Sequence, residues 1–432
     1  MIDIIEYPAT DARCYLDLLP PDFAGQLADA VAHFRDCSVI HINSTAYGGG
    51  VAEIMHSLVP LSNALGIGTR RVVITPGDSR FFDVTKRIHN MLQGAPGKLS
   101  EEELSIYFGC LDEIADEINE LDLAADVWFL HDPQLLPLGR LLSRCAAATR
   151  LWVVHIDLTQ PNPWLLDRLL PLTGAYDTVI CSLNDYEPRR LPNGVGLYVA
   201  PPAIDPLASK NSEMGPARAA AIVSSLGIDA ARPLVTQVSR FDTWKDPWGV
   251  IDAYRLARNF HPRLQLALLG LSQADDDPEG EKVLNSVRDY AQSDPDIHLF
   301  FSPVGLPATN DEIVNALQTH SQVVMQKSTR EGFGLTVSEA MWKGKAVIGG
   351  NVGGIRLQIV DGESGYLVDS AEEAGSRMAA LLSDPDLRST VGENARERVR
   401  QHFLLPRLLN DYLQAAREAR ARAMPMLSAA DN

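Results

Sequence analysis

Cysteine is scarce in this chain: five residues, at positions 14, 37, 110, 145 and 181, form an odd, scattered set with no C-x-x-C pair. Such a set excludes a disulfide-built fold and reads as reduced, buried thiols of a cytoplasmic protein. No apolar run approaches the ~20 residues of a membrane span. The start, Met1-Ile2-Asp3-Ile4-Ile5-Glu6, lacks the basic residues that open a secretion signal. Basic residues are outnumbered, 38 Lys and Arg against 56 Asp and Glu, for a net charge of −18. Nucleic acid and anionic membrane both demand a basic face, so neither is expected as a partner. Also missing are G-x-x-x-x-G-K-[ST], G-x-G-x-x-G, H-E-x-x-H and G-x-S-x-G, and the ten histidines show no metal-ligand spacing. An ATPase, a typical dinucleotide oxidoreductase, a zincin and a serine hydrolase lose most of their support.

What is present suits two α/β domains. The 432 residues exceed one ordinary domain, and 46% hydrophobic with 22% charged residues is the balance of a globular protein. Short apolar runs alternate with helical stretches such as Val51–Leu65 and Glu101–Leu121. Six strand candidates fall in the first half: Val39–Ile42, Arg71–Thr75, Val127–His131, Leu151–Ile156, Thr178–Cys181 and Leu197–Val199. Six fall in the second: Leu234–Ser239, Leu264–Leu269, Ile297–Phe301, Val323–Gln326, Ala346–Ile348 and Tyr366–Val368. Continuous apolar strands separated by helices imply parallel sheets covered on both faces. Three prolines in Ala200–Pro206 mark the break. The expected architecture is two Rossmann-like, doubly wound domains facing a cleft, at 1–205 and 206–405, with 406–432 a terminal helix that frays into a tail. Ligands in such sheets bind outside the carboxyl ends of the strands.

Five strand ends carry candidate chemistry. After Val323–Gln326 comes Ser328-Thr329-Arg330-Glu331-Gly332-Phe333-Gly334-Leu335-Thr336-Val337-Ser338-Glu339. Gly332 and Gly334 let backbone approach a ligand, the helix expected from Thr336 favours an anion, and Glu331 can accept from sugar hydroxyls. Glu339, eight residues on, reads either as a ligand residue or as the partner of Thr336 in a capping box. After Leu234–Ser239, Arg240 and Lys245 precede a helix capped by Asp246 and opened by Pro247. They either hold a phosphate there, or Lys245 points to water while Arg240 pairs with Asp242 or Asp246. Gly48-Gly49-Gly50, after Asn43, is either a tight turn or a run of free N–H groups for phosphate and sugar oxygens. Asp132 and His155, at the ends of two further strands with Asp157 close by, could bond sugar hydroxyls or could simply be satisfied by backbone. Asp275-Asp276-Asp277 fits a D-x-D metal pattern but reads as a solvated acidic loop.

Together these residues resemble the retaining GT-B glycosyltransferases of the family 4 type. Glu331 to Glu339 is similar to their E-x₇-E motif, and Arg240 with Lys245 to their diphosphate-binding pair. The stretches Asn43–Glu53, His155–Leu158 and Val324–Leu335 narrow the likeness to the branch of trehalose synthases and trehalose phosphorylases. The resemblance implies a nucleoside-diphosphate-glucose donor, UDP- or ADP-linked, on the carboxyl-terminal domain. There Arg240 and Lys245 neutralise the diphosphate, Glu331 holds the donor glucose, and Glu339 binds the ribose. The Gly332-Phe333-Gly334 backbone, Leu335 and Thr336 lie along the sugar and phosphate, and Gly49 and Gly50 meet them from the other domain. Asn43, Asp132 and Asp157 line the acceptor pocket, and Asp132 and His155 join the catalytic set. The implied reaction moves glucose to glucose with retention, giving α,α-trehalose. A trehalose phosphorylase, a transferase to a small polyol such as glycerol, and a silent sugar-nucleotide sensor remain as alternatives. No protein-bound metal is implied, Mg²⁺ entering only with the nucleotide, and a homodimer is the default expectation for a soluble enzyme.

Overall fold

The computed structural model describes residues 2–46, 49–121, 123–143, 147–186, 191–270, 278–302 and 305–430. Asp275-Asp276-Asp277, Cys145, Tyr47 and Gly48 lie outside them. The chain forms two compact units, residues 1–203 with 405–432, and residues 204–404.

The first unit is built on a seven-stranded sheet: β1 (Ile2–Ile5), β2 (Ser38–Asn43), β3 (Gly68–Ile74), β4 (Val127–His131), β5 (Thr149–Val154), β6 (Thr178–Cys181) and β7 (Gly196–Val199). Their order is β1-β3-β2-β4-β5-β6-β7. The six strands read from the sequence are parallel to their neighbours, and β1 adds an antiparallel edge with Ile4 opposite Val72. Only four residues long and half exposed, β1 has no alternation strong enough to announce it. Side chains alternate between two cores. Ile40, Ile42, Trp128, Leu130, Trp152 and Val154 face one; Val39, Phe129, Leu151 and Val153 face the other.

Leu405–Ala430 forms one 26-residue helix belonging to the first unit. Sequence reading set 406–432 apart as a terminal helix and tail; Leu408, Leu409, Tyr412, Leu413 and Ala416 of that helix make a stripe that is buried against the second of those cores.

The second unit carries β8 (Leu234–Val238), β9 (Gln265–Leu269), β10 (Ile297–Phe300), β11 (Val323–Gln326), β12 (Ala346–Gly350) and β13 (Tyr366–Val368), all parallel, in the order β10-β9-β8-β11-β12-β13. The chain passes between units at Ala203–Ile204 and Leu404–Leu405, and Ile204 bridges to Leu404. Both sheets are doubly wound, as the sequence implies. The cysteines differ in one respect: Cys110 and Cys181 are buried, but Cys14 is exposed. Its helix, Arg13–Leu16, is a single turn that turns only Tyr15 inward.

Candidate functional site

In the second unit, Glu331 leaves the end of β11 and meets Lys245 from the loop after β8. Lys245 Nζ lies 2.5 Å from Glu331 Oε2, joining residues 86 positions apart. Ser328 Oγ donates to the same oxygen at 3.1 Å. Lys245 therefore turns inward, not to water; its side chain is 17% exposed and that of Glu331 10%. The helix after Lys245, Pro247–Arg258, is capped as expected by Asp246, which accepts from Gly249 N at 3.0 Å. The other oxygen of Asp246 pairs with Lys327, which follows β11. Arg240 stands apart from this knot: its side chain is 72% exposed and meets Asp242 loosely at 3.6 Å.

The loop from Gly332 to Gly334 is held from behind. Gly334 sits at φ 83°, ψ 69°, a left-handed conformation that favours glycine, and serves as N-cap of the helix Leu335–Trp342. With no side chain there, the first-turn N–H groups receive no side-chain cap. Gln358 Nε2 donates to Phe333 O at 2.6 Å, and Arg398 fixes the Gln358 and Leu357 carbonyls at 2.6 Å each. The Phe333 ring is buried against Phe403, so only backbone of this residue serves the loop.

The capping-box alternative for Glu339 is ruled out. The helix begins one residue before Thr336, whose hydroxyl donates to Gln326 Oε1 at 3.1 Å. Glu339 is fully buried, with Oε1 2.6 Å from Lys210 Nζ. Lys210 thus engages one carboxylate oxygen as an ion pair, and no hydrogen-bond donor meets the other among the described residues. One turn on, Lys343 donates to Asn211 Oδ1 at 3.1 Å and Gln318 Oε1 at 2.9 Å. Burial pushes its ammonium down to about 8, against the pull of Glu339.

In the first unit, Gly49, at φ 79°, caps the helix Gly50–Ala64 without a side chain. The loop leading to it is tied to a buried guanidinium. Arg71 donates to Asn43 Oδ1 at 2.8 Å, to the Tyr7 hydroxyl at 2.7 Å, and to the carbonyls of Thr45 and Ala46 at 2.8 and 3.1 Å. Asn43, 2% exposed, spends its amide oxygen on this network. Asp132 occupies φ 65°, ψ 167°, a costly conformation for a non-glycine residue. Its Oδ1 accepts from the His155 N–H at 3.1 Å, tying two strand ends together. Asp157 Oδ1 accepts from both the N–H and hydroxyl of Thr159, a local turn.

The profile described as trehalose synthase, N-terminal domain, matches residues 41–188, and that of glycosyl transferases group 1 matches residues 220–398. Trehalose synthase of Rubrobacter xylanophilus is 42% identical over 401 residues, covering 93% of this chain and 95% of that one. The chain belongs to the trehalose synthase family of glycosyltransferases. Trehalose phosphorylase of Grifola frondosa is 30% identical over 87% of this chain but only 56% of its own length. Among solved structures, a UDP-forming α,α-trehalose-phosphate synthase from Burkholderia xenovorans superposes with a TM-score of 0.68 at 17% identity, covering 89% of this chain and 99% of that one. That likeness carries the GT-B fold.

Within this trehalose synthase relative, several supporting residues escaped sequence reading. Lys327 and Lys210 pair with Asp246 and Glu339, Gln358 anchors the Phe333 carbonyl, and Arg71 anchors Asn43. Each partner lies tens of residues from the motif it serves, and only the strand order could have suggested them. The contacts that join His41, His131 and His155 escaped sequence reading in the same way, although His131 beside Asp132 and His155 near Asp157 stood out as two His/Asp pairs at strand ends. His41 Nδ1 is 2.9 Å from His131 Nε2, and His131 Nδ1 is 3.0 Å from His155 Nε2. Burial, reinforced by Arg71, pulls the His41 imidazole down to about 3. Burial holds His131 well below and His155 below the ordinary histidine value, Asp132 partly offsetting it at His155.

Proposed function

We propose that this glycosyltransferase is a retaining enzyme that moves glucose from a nucleoside-diphosphate-glucose to glucose, forming α,α-trehalose reversibly. The observation that carries this reading is the contact of Lys245 with Glu331 beside the Gly332–Gly334 backbone. It sets a cation for a departing diphosphate next to a carboxylate for sugar hydroxyls, on one strand-end rim. The 42% identical relative named trehalose synthase favours trehalose as product.

In this mechanism Lys245 and the exposed Arg240 neutralise charge that grows on the diphosphate, aided by the uncapped helix end at Gly334. Glu331 orients the donor glucose, and Glu339 takes ribose hydroxyls, on the oxygen that Lys210 leaves open or on both once Lys210 gives way. Gly49 and Gly50 supply backbone N–H groups to the sugar phosphate. Asp132, His155, Asp157 and Asn43 belong to the sugar-binding side of the first unit. The acceptor hydroxyl attacks the face that the phosphate leaves, passing its proton to that phosphate, so configuration is retained. Mg²⁺ enters as the counter-ion of the nucleotide, with no protein ligand assigned to it.

The test is incubation of the purified protein with UDP-glucose or ADP-glucose and either glucose or glycerol, following products by NMR. α,α-Trehalose from glucose without inorganic phosphate supports the reading. A glycerol glucoside alone would replace the acceptor. Glucose 1-phosphate formed only from trehalose and phosphate would replace the reaction with phosphorolysis.

A further inference from the structure

His41, His131 and His155 form a row across the first sheet. His41 on β2 is in register with Arg71 on β3 and with Phe129 on β4. His131 on β4 is in register with Val153, two residues before His155. The rings meet edge to edge along the row, with centroids 5.2 Å apart for His41–His131 and 5.3 Å for His131–His155 and their planes inclined by 26° and 18°. Phe129 stacks on His41 at 4.6 Å and Tyr412 closes over both, so no water intervenes between ring nitrogens 2.9 and 3.0 Å apart.

His41 and His131 are buried and His155 is half-buried, and desolvation keeps all three below the ordinary histidine value, hence neutral at pH 7. A neutral imidazole carries one N–H and one lone pair, so each nitrogen pair must be one donor facing one acceptor. The chain then has only two states. Either every N–H points from His41 toward His155, or every N–H points back. The charges at the two ends choose between them. Arg71, 1% exposed and without a carboxylate partner among the described residues, lies at the His41 end. Asp132, held by the backbone N–H of His155, lies at the other. Each charge favours lone pairs toward the cation and hydrogens toward the anion, so their effects add.

The geometry points to a polarised histidine chain in which His41 Nδ1–H donates to His131 Nε2, His131 Nδ1–H donates to His155 Nε2, and His155 is left with Nδ1–H as its outward donor. His41 and His131 are thereby positioning residues: they fix the tautomer and ring plane of His155 without reaching a ligand themselves. The direction of the chain stands on this geometry alone. Its use, donation from Nδ1 to a sugar oxygen, rests on the proposed placement of His155 at the sugar.

Long-range ¹H–¹⁵N correlation on the full-length, histidine-labelled protein reads the tautomers directly. His155 and His131 should both show a protonated Nδ1 and a bare Nε2, the minority form in a free side chain. A protonated Nε2 on His155 overturns the chain whatever the variants do. His131→Leu removes the donor and His131→Asn replaces it, with an amide N–H in the place of Nδ1–H. His131→Leu should release His155 to the Nε2–H form and lower kcat by at least about tenfold with little change in KM, because misplacing a reacting group by about 1 Å costs on the order of 100-fold. His131→Asn should keep the Nδ1–H form and most of kcat. Equal losses in the two variants, with the His155 tautomer unmoved, would reduce His131 to packing and overturn its positioning role. Unchanged kcat in His131→Leu despite a switched tautomer would leave the direction standing and remove His155 from the sugar, which is a failure of the functional reading.

Discussion

Gly354 offers a way to move the donor loop without substituting any residue assigned to chemistry. A Cβ built at this position would lie 2.4 Å from Phe333 Cα, 2.6 Å from Gly332 O and 2.9 Å from Phe333 O. Carbon contacts are comfortable at about 3.5–4.0 Å, so Gly354→Ala demands an opening of about 1 Å. The obstructing atoms are all backbone, and no side chain can swing aside. Phe333 O is also pinned by Gln358 Nε2 at 2.6 Å, so the strain is shared between a broken hydrogen bond and a displaced loop. Overpacking of this kind costs about 1–3 kcal/mol, or about 2–12 °C in Tm for a unit of this size. The larger effect should be on activity, because a shift of about 1 Å at a positioning loop costs on the order of 100-fold in rate. Calorimetric unfolding and kcat measured on one preparation separate the two. Gly25→Ala is the control: Gly25 lies inside the helix Pro21–Phe34 with nothing within 4 Å of the added carbon. It should raise stability by about 0.5–1 kcal/mol and leave activity alone. A Gly354→Ala protein with wild-type kcat and nucleotide affinity would refute the link between loop position and transfer.

Glu331→Gln should abolish turnover while the protein keeps its cooperative unfolding; near-normal activity in the NMR assay would remove Glu331 from the site. Arg240→Ala should weaken nucleoside diphosphate binding by about 1.5–3 kcal/mol, the range for a charge-assisted bond. Stability should not change, since that side chain is 72% exposed; equal calorimetric affinities would end its phosphate role. The histidine row makes the protein acid-sensitive. The His41 imidazole titrates at about 3 when folded and near its ordinary 6.5 when unfolded, so the unfolded chain binds the extra proton between those values. Stability is full above pH 6.5 and falls with decreasing pH by about 1.4 kcal/mol per unit for each such histidine. Denaturant titrations at pH 7, 5.5 and 4 should show this slope, reduced in His41→Asn; parallel slopes in the two proteins would contradict it.

The alternation of apolar strands with helices places twelve of the thirteen strands among the described residues, because a strand buried on both faces must be apolar throughout. Local chemistry also placed Asp246 as a cap with Pro247 behind it, and brought Glu331 and Lys245 under suspicion separately. These features depend on neighbours within a few residues. The Lys245–Glu331 contact spans 86 positions, Lys327–Asp246 81, and His41–His131 90. No local pattern encodes such pairs; strand order does, by setting β8 beside β11 and β2 beside β4. Glu339 shows the limit most plainly. Its spacing from Thr336 suits a capping box, but the left-handed Gly334 starts the helix a residue early and Lys210, 129 positions away in sequence, faces the carboxylate instead. The sequence by itself determined the sheets, the loops at their carboxyl ends and the residue types available there. Which of those residues touch, which are spent on holding a loop, and which way a row of imidazoles points were decided only when the strands packed side by side, since burial and distance belong to the folded chain.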